Sequence, residues 1–460
     1  MTEAAAPCPR APAAPLARRD PAPGGPAPWP VPPFLADVYE DASRCNRCSL
    51  CQAACPTYQV HPVEWETARG RVALVRDAIE GRLELREIAE GPLSTCLTCN
   101  NCVAVCPPRV PTGEIVSRAR QELHEQEGFP AGQALLLRAI LPRPGGTRTL
   151  HRLARAGQVT GIARAVRRLG RRGALGTLGA MAAQAGPLPR RRADQRVGGL
   201  PAATLPTRGR LAFLICCYQN LVAPEATEAA MRVLLANGFE LEVPATGCLG
   251  LPAHSLGDRH ALTDMAVRTV TLLRDRSVDA VVGDVASCVG QVQDYGRILG
   301  DDRLLGEEAR RLAASTHLAS ALLERRGWRA PLGPLPWRVA IDLPCSLPIG
   351  GSARGVAARL LARVPELAVL PLDEAAMCCG GPGAFATGEP RMSDAILERK
   401  FLNVVASGAG VLVTENVSCL VQLRRGALLH APRVRVMHLM EVLDASIQSA
   451  ATGAPRRPVG

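Results

Sequence analysis

The sequence predicts a multidomain chain in which an α-helical module precedes two α/β modules with parallel sheets. Two compact runs of four cysteines early in the chain, and an internal repeat of short apolar runs alternating with helical patterns later on, lead to this prediction. In that repeat the cysteines stand just past each predicted strand. The chain has 460 residues, of which 47% are hydrophobic, so it can build two to four domains with real cores.

The N-terminal segment 1–34 is rich in Ala and Pro and is expected to be a disordered tail with Cys8 as a stray thiol. It lacks the basic start and apolar run of a signal peptide, and no apolar run approaches the roughly 18 residues of a membrane span. We therefore expect a cytoplasmic protein, with any membrane contact peripheral and on the inner face of the cell membrane. In that reducing compartment, clustered cysteines serve mostly as metal ligands or redox groups.

The two early runs share the spacing C-x2-C-x2-C-x3-C-P, which is the bacterial two-cluster ferredoxin signature. Three thiolates wrap one [4Fe-4S] cluster, and the fourth crosses to the other cluster. One predicted ligand set is Cys45, Cys48, Cys51 and Cys106, and the other is Cys96, Cys99, Cys102 and Cys55. Zinc, the alternative, usually takes two C-x2-C pairs per ion. Apolar residues at helical spacing between the runs predict a helix there, and so a helical 2x[4Fe-4S] ferredoxin domain over 35–125.

A basic connector is predicted over 126–209. From Gly132 to Arg210 it is dense in arginine, with Asp194 as its only acidic residue, and it supplies most of the net charge of +12. No recognition motif or stacking aromatic accompanies this charge, so nucleic-acid binding is not expected. The remaining alternatives are a solvated linker with a helix or two, and docking to an acidic partner or an anionic membrane surface.

The repeat predicts two α/β modules, over 210–332 and 333–445, followed by a tail over 446–460. Each reads as strand, helix, strand, helix, strand, and the cysteines at the strand ends should gather at one edge of a parallel sheet. The predicted metal ligands of the second module are Cys345, Cys378, Cys379 and Cys419, and those of the first are Cys217, Cys248 and Cys288.

The adjacent residues Cys378 and Cys379 raise a question of their own. Neighbouring Cα atoms lie about 3.8 Å apart, whereas a relaxed disulfide needs roughly 4.4 to 6.8 Å, so both thiolates are expected to reach iron instead. The first module has Leu249 in place of the second thiol. Either Cys216 or His254 could fill that ligand position, and zinc remains an alternative metal in both modules.

These motifs resemble the iron-sulfur subunit of glycolate oxidase, within the larger group of proteins that join a two-cluster ferredoxin segment to two cysteine-rich CCG domains. The resemblance covers roughly residues 40–445 and includes "CPTYQV", "ARGRVALVRDAIEG", "ILPRP", "QDYGRIL", "CCGGPGAF" and "TENVSC". Leu249 and the long N-terminal tail depart from the family pattern.

The resemblance implies a non-catalytic electron-transfer subunit. It would work beside flavin (FAD) subunits that oxidise glycolate or a similar 2-hydroxy acid, and would pass electrons towards a quinone or another acceptor. The sequence shows no G-x-G-x-x-G opening a strand-turn-helix unit, so no flavin or nicotinamide site is expected in this chain. Two alternatives share the architecture: an electron-transfer subunit of anaerobic glycerol-3-phosphate dehydrogenase, and a heterodisulfide-reductase-like catalytic subunit.

Overall fold

The computed structural model describes residues 35–162, 186–201, 205–348, 353–454, 456 and 458. The expected N-terminal tail with Cys8, the middle of the basic connector and the last residues of the C-terminal tail lie outside these ranges. Among the described residues, no helix is both long enough and apolar enough to cross a membrane.

The ferredoxin module is helical, as the sequence predicts. Its helices are Ala36–Ser43, Leu50–Ala54, Pro56–Val60, Ala68–Ile79, Asn101–Ala104 and Thr112–Glu127, with shorter turns at Glu64–Glu66, Leu85–Ile88 and Ala89–Leu93. The helix predicted between the cysteine runs begins at the cap of Thr67, whose side chain accepts a hydrogen bond from the Gly70 amide. It ends before Gly81, which has a φ of 71° that favours glycine. Val72, Val75 and Ile79 line its buried face.

The described part of the connector consists of helical segments at Ala131–Ala134, Leu135–Ile140 and Pro144–Val159, followed by short turns at Ala193–Gln195 and Val197–Gly199. Leu137 is buried beside Cys248 in a small core that belongs to the first α/β module. Arg138 forms an ion pair with the buried Asp258 of that module at 2.8 Å. This part of the connector therefore packs on the first module.

The first module is a four-stranded, fully parallel sheet in the order β2-β1-β3-β4. Its strands are β1 Arg210–Leu214, β2 Glu240–Glu242, β3 Ala280–Gly283 and β4 Thr316–Leu318. Its helices are Cys217–Val222, Pro224–Ala236, Leu251–Leu256, Arg259–Leu273, Ala286–Gln293, Tyr295–Ile298, Gly306–Ser315 and Ala319–Arg326. The repeat predicts the first three strands, and the structure adds β4 at one edge.

The second module repeats this arrangement with the order β6-β5-β7-β8, again fully parallel. Its strands are β5 Arg338–Ile341, β6 Ala368–Leu370, β7 Val411–Thr414 and β8 Arg435–His438. Its helices are Val356–Leu361, Gly383–Gly388, Pro390–Ala406, Val417–His430 and Leu439–Thr452, with a short turn at Ala353–Gly355. A tail is predicted from residue 446, but the last helix continues to Thr452. Leu443 and Ser449 are both buried on this helix, so its final turns are packed against the module.

The two α/β modules share one hydrophobic core. Buried side chains of β1 and β3 and those of β5 and β7 belong to the same cluster, together with Trp337 between the modules. Helix Pro224–Ala236 packs against helix Leu439–Thr452, where Arg232 pairs with Asp444 at 2.7 Å. The carboxyl ends of the two sheets are therefore held in a fixed relation, which positions the cysteines described next.

Candidate functional site

Four cysteines of the ferredoxin module line one recess. They are Cys55, Cys96, Cys99 and Cys102. Burial, followed by the proximity of Cys99 and Cys96, raises the pKa of Cys102 well above its ordinary value. Cys55 comes from the first cysteine run, whereas the other three come from the second. A recess lined by four thiols suits an iron-sulfur cluster, which is held by cysteine thiolates.

The backbone around both cysteine runs has the same unusual turns. Arg47 and Ser49 in the first run have positive φ, and so do Thr98 and Asn100 at the matching places in the second. Residues other than glycine adopt this conformation at a cost, typically of about 1–2 kcal/mol, and it is retained mainly where function requires it. The repeated strain indicates that the chain wraps around a bound group in both runs.

The cysteines of the other predicted ligand set line no common recess among those described. Cys51 lies near Cys45, and the mutual repulsion of these thiolates contributes to a pKa of Cys51 above its ordinary value, although burial is the larger cause. Cys48 is exposed and Cys106 half-buried. The short helices that carry Cys51 and Cys102, Leu50–Ala54 and Asn101–Ala104, pack against each other.

Two arginines stand beside the recess, the buried Arg71 and the half-buried Arg120. Arg71, from the "RGR" motif, forms an ion pair with Glu66 at 2.7 Å and also contacts the Cys55 sulfur at 3.7 Å. Arg120 donates to the backbone carbonyl of Cys96 at 2.7 Å and to that of Ser255 in the first α/β module at 2.8 Å. These cations place positive charge next to thiolates and connect the ferredoxin module to its neighbour.

In the second module the four predicted cysteines come together at the carboxyl edge of the sheet. Cys378 contacts Cys345, and Cys379 contacts Cys419. Contact with Cys345, together with burial, raises the pKa of Cys378 well above its ordinary value, and contact with Cys379 does the same for Cys419. Within the described ranges, no group of three or more His, Cys, Asp or Glu side chains has the arrangement that holds a single metal ion.

The glycines after the adjacent cysteines have a steric role. Gly380 has a φ of +75°, and a Cβ there would stand 2.8 Å from the carbonyl oxygen of Ser393. A Cβ on Gly381 would stand 2.6 Å from Gln422. Only glycine lets this turn lie against the helices, and the turn aims both thiols into the site.

A buried ion pair supports the same turn. Lys400 pairs with Asp342 at 2.6 Å, and both side chains are almost completely buried. Its ammonium group also donates to the backbone carbonyls of Ala375 and Met377, directly before Cys378. Burial opposes the charge, but attraction to Asp342 outweighs it and leaves the pKa of Lys400 above its ordinary value.

The ferredoxin recess and the second module meet at their sulfur atoms. Cys99 contacts Cys378, and the apolar side chains of Leu97, Phe385 and Ile396 surround this contact. Nearby, the side-chain amide of Asn101 donates to the carbonyl of Ala376 at 2.9 Å. The two candidate centres are therefore directly adjacent and shielded from water.

In the first module Cys217 contacts Cys248 at the edge of the sheet. Cys288 lies 3.4 Å from Cys216, measured between their sulfur atoms. Contacts with Cys217 and Cys288 lower the pKa of Cys216 well below its ordinary value, although burial opposes this. The structure thus brings Cys216 into the thiol group of this module.

His254 is not part of that group. Burial is the main cause of its lowered pKa, and its electrostatic neighbours are Glu114, Asp294 and two arginines. Leu249 packs into the hydrophobic core with Tyr295, whose hydroxyl donates to the Leu249 carbonyl at 2.8 Å. Of the two substitutes that the sequence leaves open for the missing ligand, the structure favours Cys216.

Sequence reasoning missed several residues that shape these sites. Lys400 is hidden in an ordinary helical pattern, and its role depends on a loop 25 residues away. The carbonyl of Leu141, in the "ILPRP" segment, accepts a hydrogen bond from the Cys248 amide at 2.8 Å. Asn416 donates weakly to Cys419 at 3.7 Å and accepts from the hydroxyl of Ser287 at 2.6 Å, so it joins the two modules. The resemblance had marked "ILPRP" and "TENVSC", but not what they contact.

Two family models match this chain. A 4Fe-4S dicluster domain matches residues 41–110, and a cysteine-rich domain matches twice, at residues 211–293 and 340–424. The matches coincide with the ferredoxin module and with most of each parallel sheet. The chain is therefore an iron-sulfur protein in which a dicluster ferredoxin domain precedes two cysteine-rich domains.

Two of the relatives compared align with most of this chain, and a third aligns with about half of it. A probable glycolate oxidase iron-sulfur subunit from Bacillus subtilis is 27% identical over 87% of this chain and 92% of its own length. The glycolate oxidase iron-sulfur subunit of Escherichia coli is 26% identical over 88% of this chain and 94% of its own length. Lactate utilization protein A from an Exiguobacterium species is 25% identical over 52% of this chain and 99% of its own length. The chain is thus similar to glycolate oxidase iron-sulfur subunits over most of its length.

Proposed function

We propose that this chain is the electron-transfer subunit of a flavin-dependent 2-hydroxy-acid oxidase or dehydrogenase complex, with glycolate as the substrate of the complex. It accepts electrons from an FAD-containing partner subunit and passes them towards a quinone or another acceptor. The observation that carries the proposal is the contact between Cys99 and Cys378, which joins the ferredoxin recess to the second cysteine-rich module. When bound, iron-sulfur clusters supply one-electron carriers at these places.

We further propose the ligand sets. One ferredoxin cluster is held by Cys45, Cys48, Cys51 and Cys106, and the other by Cys96, Cys99, Cys102 and Cys55. In the second module the ligands are Cys345, Cys378, Cys379 and Cys419. Pairwise sulfur contacts and a shared recess support the last two sets. In the first module Cys217, Cys248 and Cys288 are ligands.

The chain's own residues give this relay its properties. Apolar side chains exclude water between Cys99 and Cys378, which lowers the reorganisation that accompanies a charge movement. Arg71 and Lys400 are buried beside thiols and Arg120 is half-buried beside one, so all three favour added negative charge there. We place the protein in the cytoplasm, because its many clustered cysteines fit a reducing compartment, with any contact to a membrane quinone peripheral.

Anaerobic mixing with a flavin-containing 2-hydroxy-acid oxidase subunit tests the proposal. Glycolate should then bleach the visible iron-sulfur absorption of this chain and produce the electron paramagnetic resonance signals of reduced clusters. The chain without the flavin subunit is the control and should stay oxidised, since its sequence predicts no flavin or nicotinamide site to accept a hydride. Reduction by glycerol 3-phosphate with its own flavin subunit, or cleavage of a thiol disulfide by the chain alone, would support an alternative instead. Turnover of glycolate by the flavin-free chain would contradict the proposal.

A further inference from the structure

The two cysteine-rich modules carry their adjacent cysteine pairs at different strands. In the second module the pair is Cys378 and Cys379, after β6, and a single cysteine follows β5. In the first module the pair is Cys216 and Cys217, after β1, and a single cysteine, Cys248, follows β2. The strands β1 and β5 occupy equivalent places in the two sheets, so the pair has moved from one strand end to its neighbour.

The thiols of the second module touch in a continuous series. Cys345 contacts Cys378, Cys378 contacts its neighbour Cys379, and Cys379 contacts Cys419. The series begins at the loop after β5, passes through the pair after β6 and ends at the helix after β7.

The thiols of the first module form an equivalent series of four. Cys248 contacts Cys217, Cys217 contacts its neighbour Cys216, and the sulfur of Cys216 lies 3.4 Å from that of Cys288. Each series has an adjacent pair at its centre, and one member of that pair reaches the cysteine after the third strand. Cys216 therefore makes the contact with Cys288 that Cys379 makes with Cys419.

We infer that Cys216 is the fourth thiolate ligand of the first module and replaces the ligand lost at Leu249. The first module is then a complete iron-sulfur site of the same class as the second, with its adjacent pair supplied by β1 instead of β2. This rests on the proposed function only in taking iron-sulfur clusters as the bound groups.

The surroundings of Cys216 support this assignment. Its side chain is only 2% exposed and lies with Val285 and Val417 at the boundary between the two modules. Leu249 is buried in a hydrophobic core against which the partly buried Cys288 also packs. The first module therefore has four clustered thiols without any contribution from position 249.

The test compares iron, acid-labile sulfide and electron paramagnetic resonance spectra of the anaerobically purified full-length chain and its variants. Cys216→Ser should lose as much iron and sulfide as Cys288→Ser, while the signals of the ferredoxin clusters and of the second module remain. Cys8→Ser removes the one thiol that belongs to none of the cysteine motifs of the sequence, so it is the matched control and should keep the full content. Wild-type iron, sulfide and spectra in Cys216→Ser, alongside a clear loss in Cys288→Ser, would overturn the inference.

A double variant guards against a folding defect. Cys216→Ser combined with Leu249→Cys returns the adjacent pair to the end of β2, so it should regain the iron and sulfide that the single variant loses. Recovery supports a ligand role for position 216, because a purely structural defect would not be repaired by a thiol at 249. A double variant with no more iron than Cys216→Ser, in chains that keep the other signals, counts against it. Neither outcome depends on the flavin partner, so a failure of the electron-transfer proposal is seen separately.

Discussion

At the scale of single residues, the second site depends on a buried pair of opposite charges. Lys400 stands beneath the turn that carries Cys378 and Cys379, and Asp342, with which it forms an ion pair, is itself buried. Removing one member of such a pair leaves the other charge without compensation, which typically costs about 3–5 kcal/mol. The pair is therefore important both for the fold and for the shape of the second site.

Lys400→Met should lower the free energy of unfolding by about 3 kcal/mol or more, for the reason just given. It should also release iron from the second module, because the carbonyls of Ala375 and Met377 lose their donor. Arg399→Met is the control one residue away, where the ion pair with Glu374 is partly exposed and worth about 1 kcal/mol or less. Thermal unfolding and iron content check both variants. Equal effects in the two variants would contradict this role of Lys400.

Glu415 gives a pH dependence with a defined sign. Burial raises its pKa from 4.5 to about 7. The folded chain therefore holds a proton that the unfolded chain has released, and the stability from this group is lost as pH rises from 4.5 through 7. Glu415→Gln should flatten unfolding against pH in that window and should be more stable at pH 8, by up to about 3 kcal/mol. Denaturant unfolding at pH 5 and pH 8 measures it, with the exposed Glu398→Gln as control, and an unchanged pH slope would contradict the expectation.

At the scale of elements, the connector takes part in the first site. The backbone of "ILPRP" runs so close to the loop before Cys248 that a Cβ on Gly247 would fall on the carbonyl oxygen of Pro142. The Cys248 amide donates to the carbonyl of Leu141 at 2.8 Å, and Leu137 packs beside the same cysteine. A segment whose composition is typical of a solvated linker thus covers a thiol of the first module.

Gly247→Ala should separate the connector from the loop. The added methyl group would clash with backbone atoms of the connector, which cannot rotate away as a flexible side chain could. We expect the free energy of unfolding to fall by about 1–3 kcal/mol and the first module to lose iron. Gly145→Ala, in the same connector but with no atom within 4 Å of the new Cβ, should leave both unchanged. Limited proteolysis of the segment around Pro142 and an iron assay make the comparison. Proteolysis at the wild-type rate in Gly247→Ala would show that the close approach is not needed.

The sequence predicts elements well where one local pattern decides them. The ferredoxin spacing, the helix after Thr67 and the first three strands of each sheet are all local, and the structure has them. The sequence does not predict the edge strands β4 and β8. Both are short, and neither carries a cysteine that would mark it. The packing of the connector depends on partners more than 100 residues away, such as Asp258 for Arg138, and a single sequence does not show such pairs.

The candidate site also has one part that the sequence predicts and one part that it does not. The cysteines are predictable because their spacing reflects ligand geometry, whereas the choice between Cys216 and His254 needs the relative position of two strand ends and a helix. Lys400, Asn101 and Asn416 were missed, because each acts through a contact far away in the chain, which a local motif does not show even where one surrounds the residue. The ligands can therefore be recognised from the sequence, whereas the residues that support them can be recognised only from the tertiary structure.

At the scale of the whole molecule, a repeated pair of modules carries a ferredoxin module that is not placed symmetrically between them. Helix Thr112–Glu127 packs on the first module through Ser117, which donates to the carbonyl of His254 at 3.0 Å. The sulfur contact, however, is with the second module, through Cys99 and Cys378. The cysteines of the second module are therefore the direct neighbours of the ferredoxin recess. The first module is joined to the second at the boundary where Ser287 contacts Asn416.

This asymmetry predicts where electrons leave the ferredoxin module, and Asn101 is the residue through which it can be tested. Its amide holds the turn before Cys378 against the ferredoxin module at 2.9 Å from the Ala376 carbonyl. Asn101→Ala leaves that partly buried carbonyl without this donor, at a cost of about 0.5–1.5 kcal/mol, and loosens the contact between Cys99 and Cys378. After rapid reduction of the ferredoxin clusters, the second module should then be reduced more slowly than in the wild type, with the iron content unchanged. Asn403→Ala removes an exposed amide that binds Glu374 within the second module itself, so its rate should match the wild type. An unchanged rate in Asn101→Ala would mean that electrons do not cross at this contact.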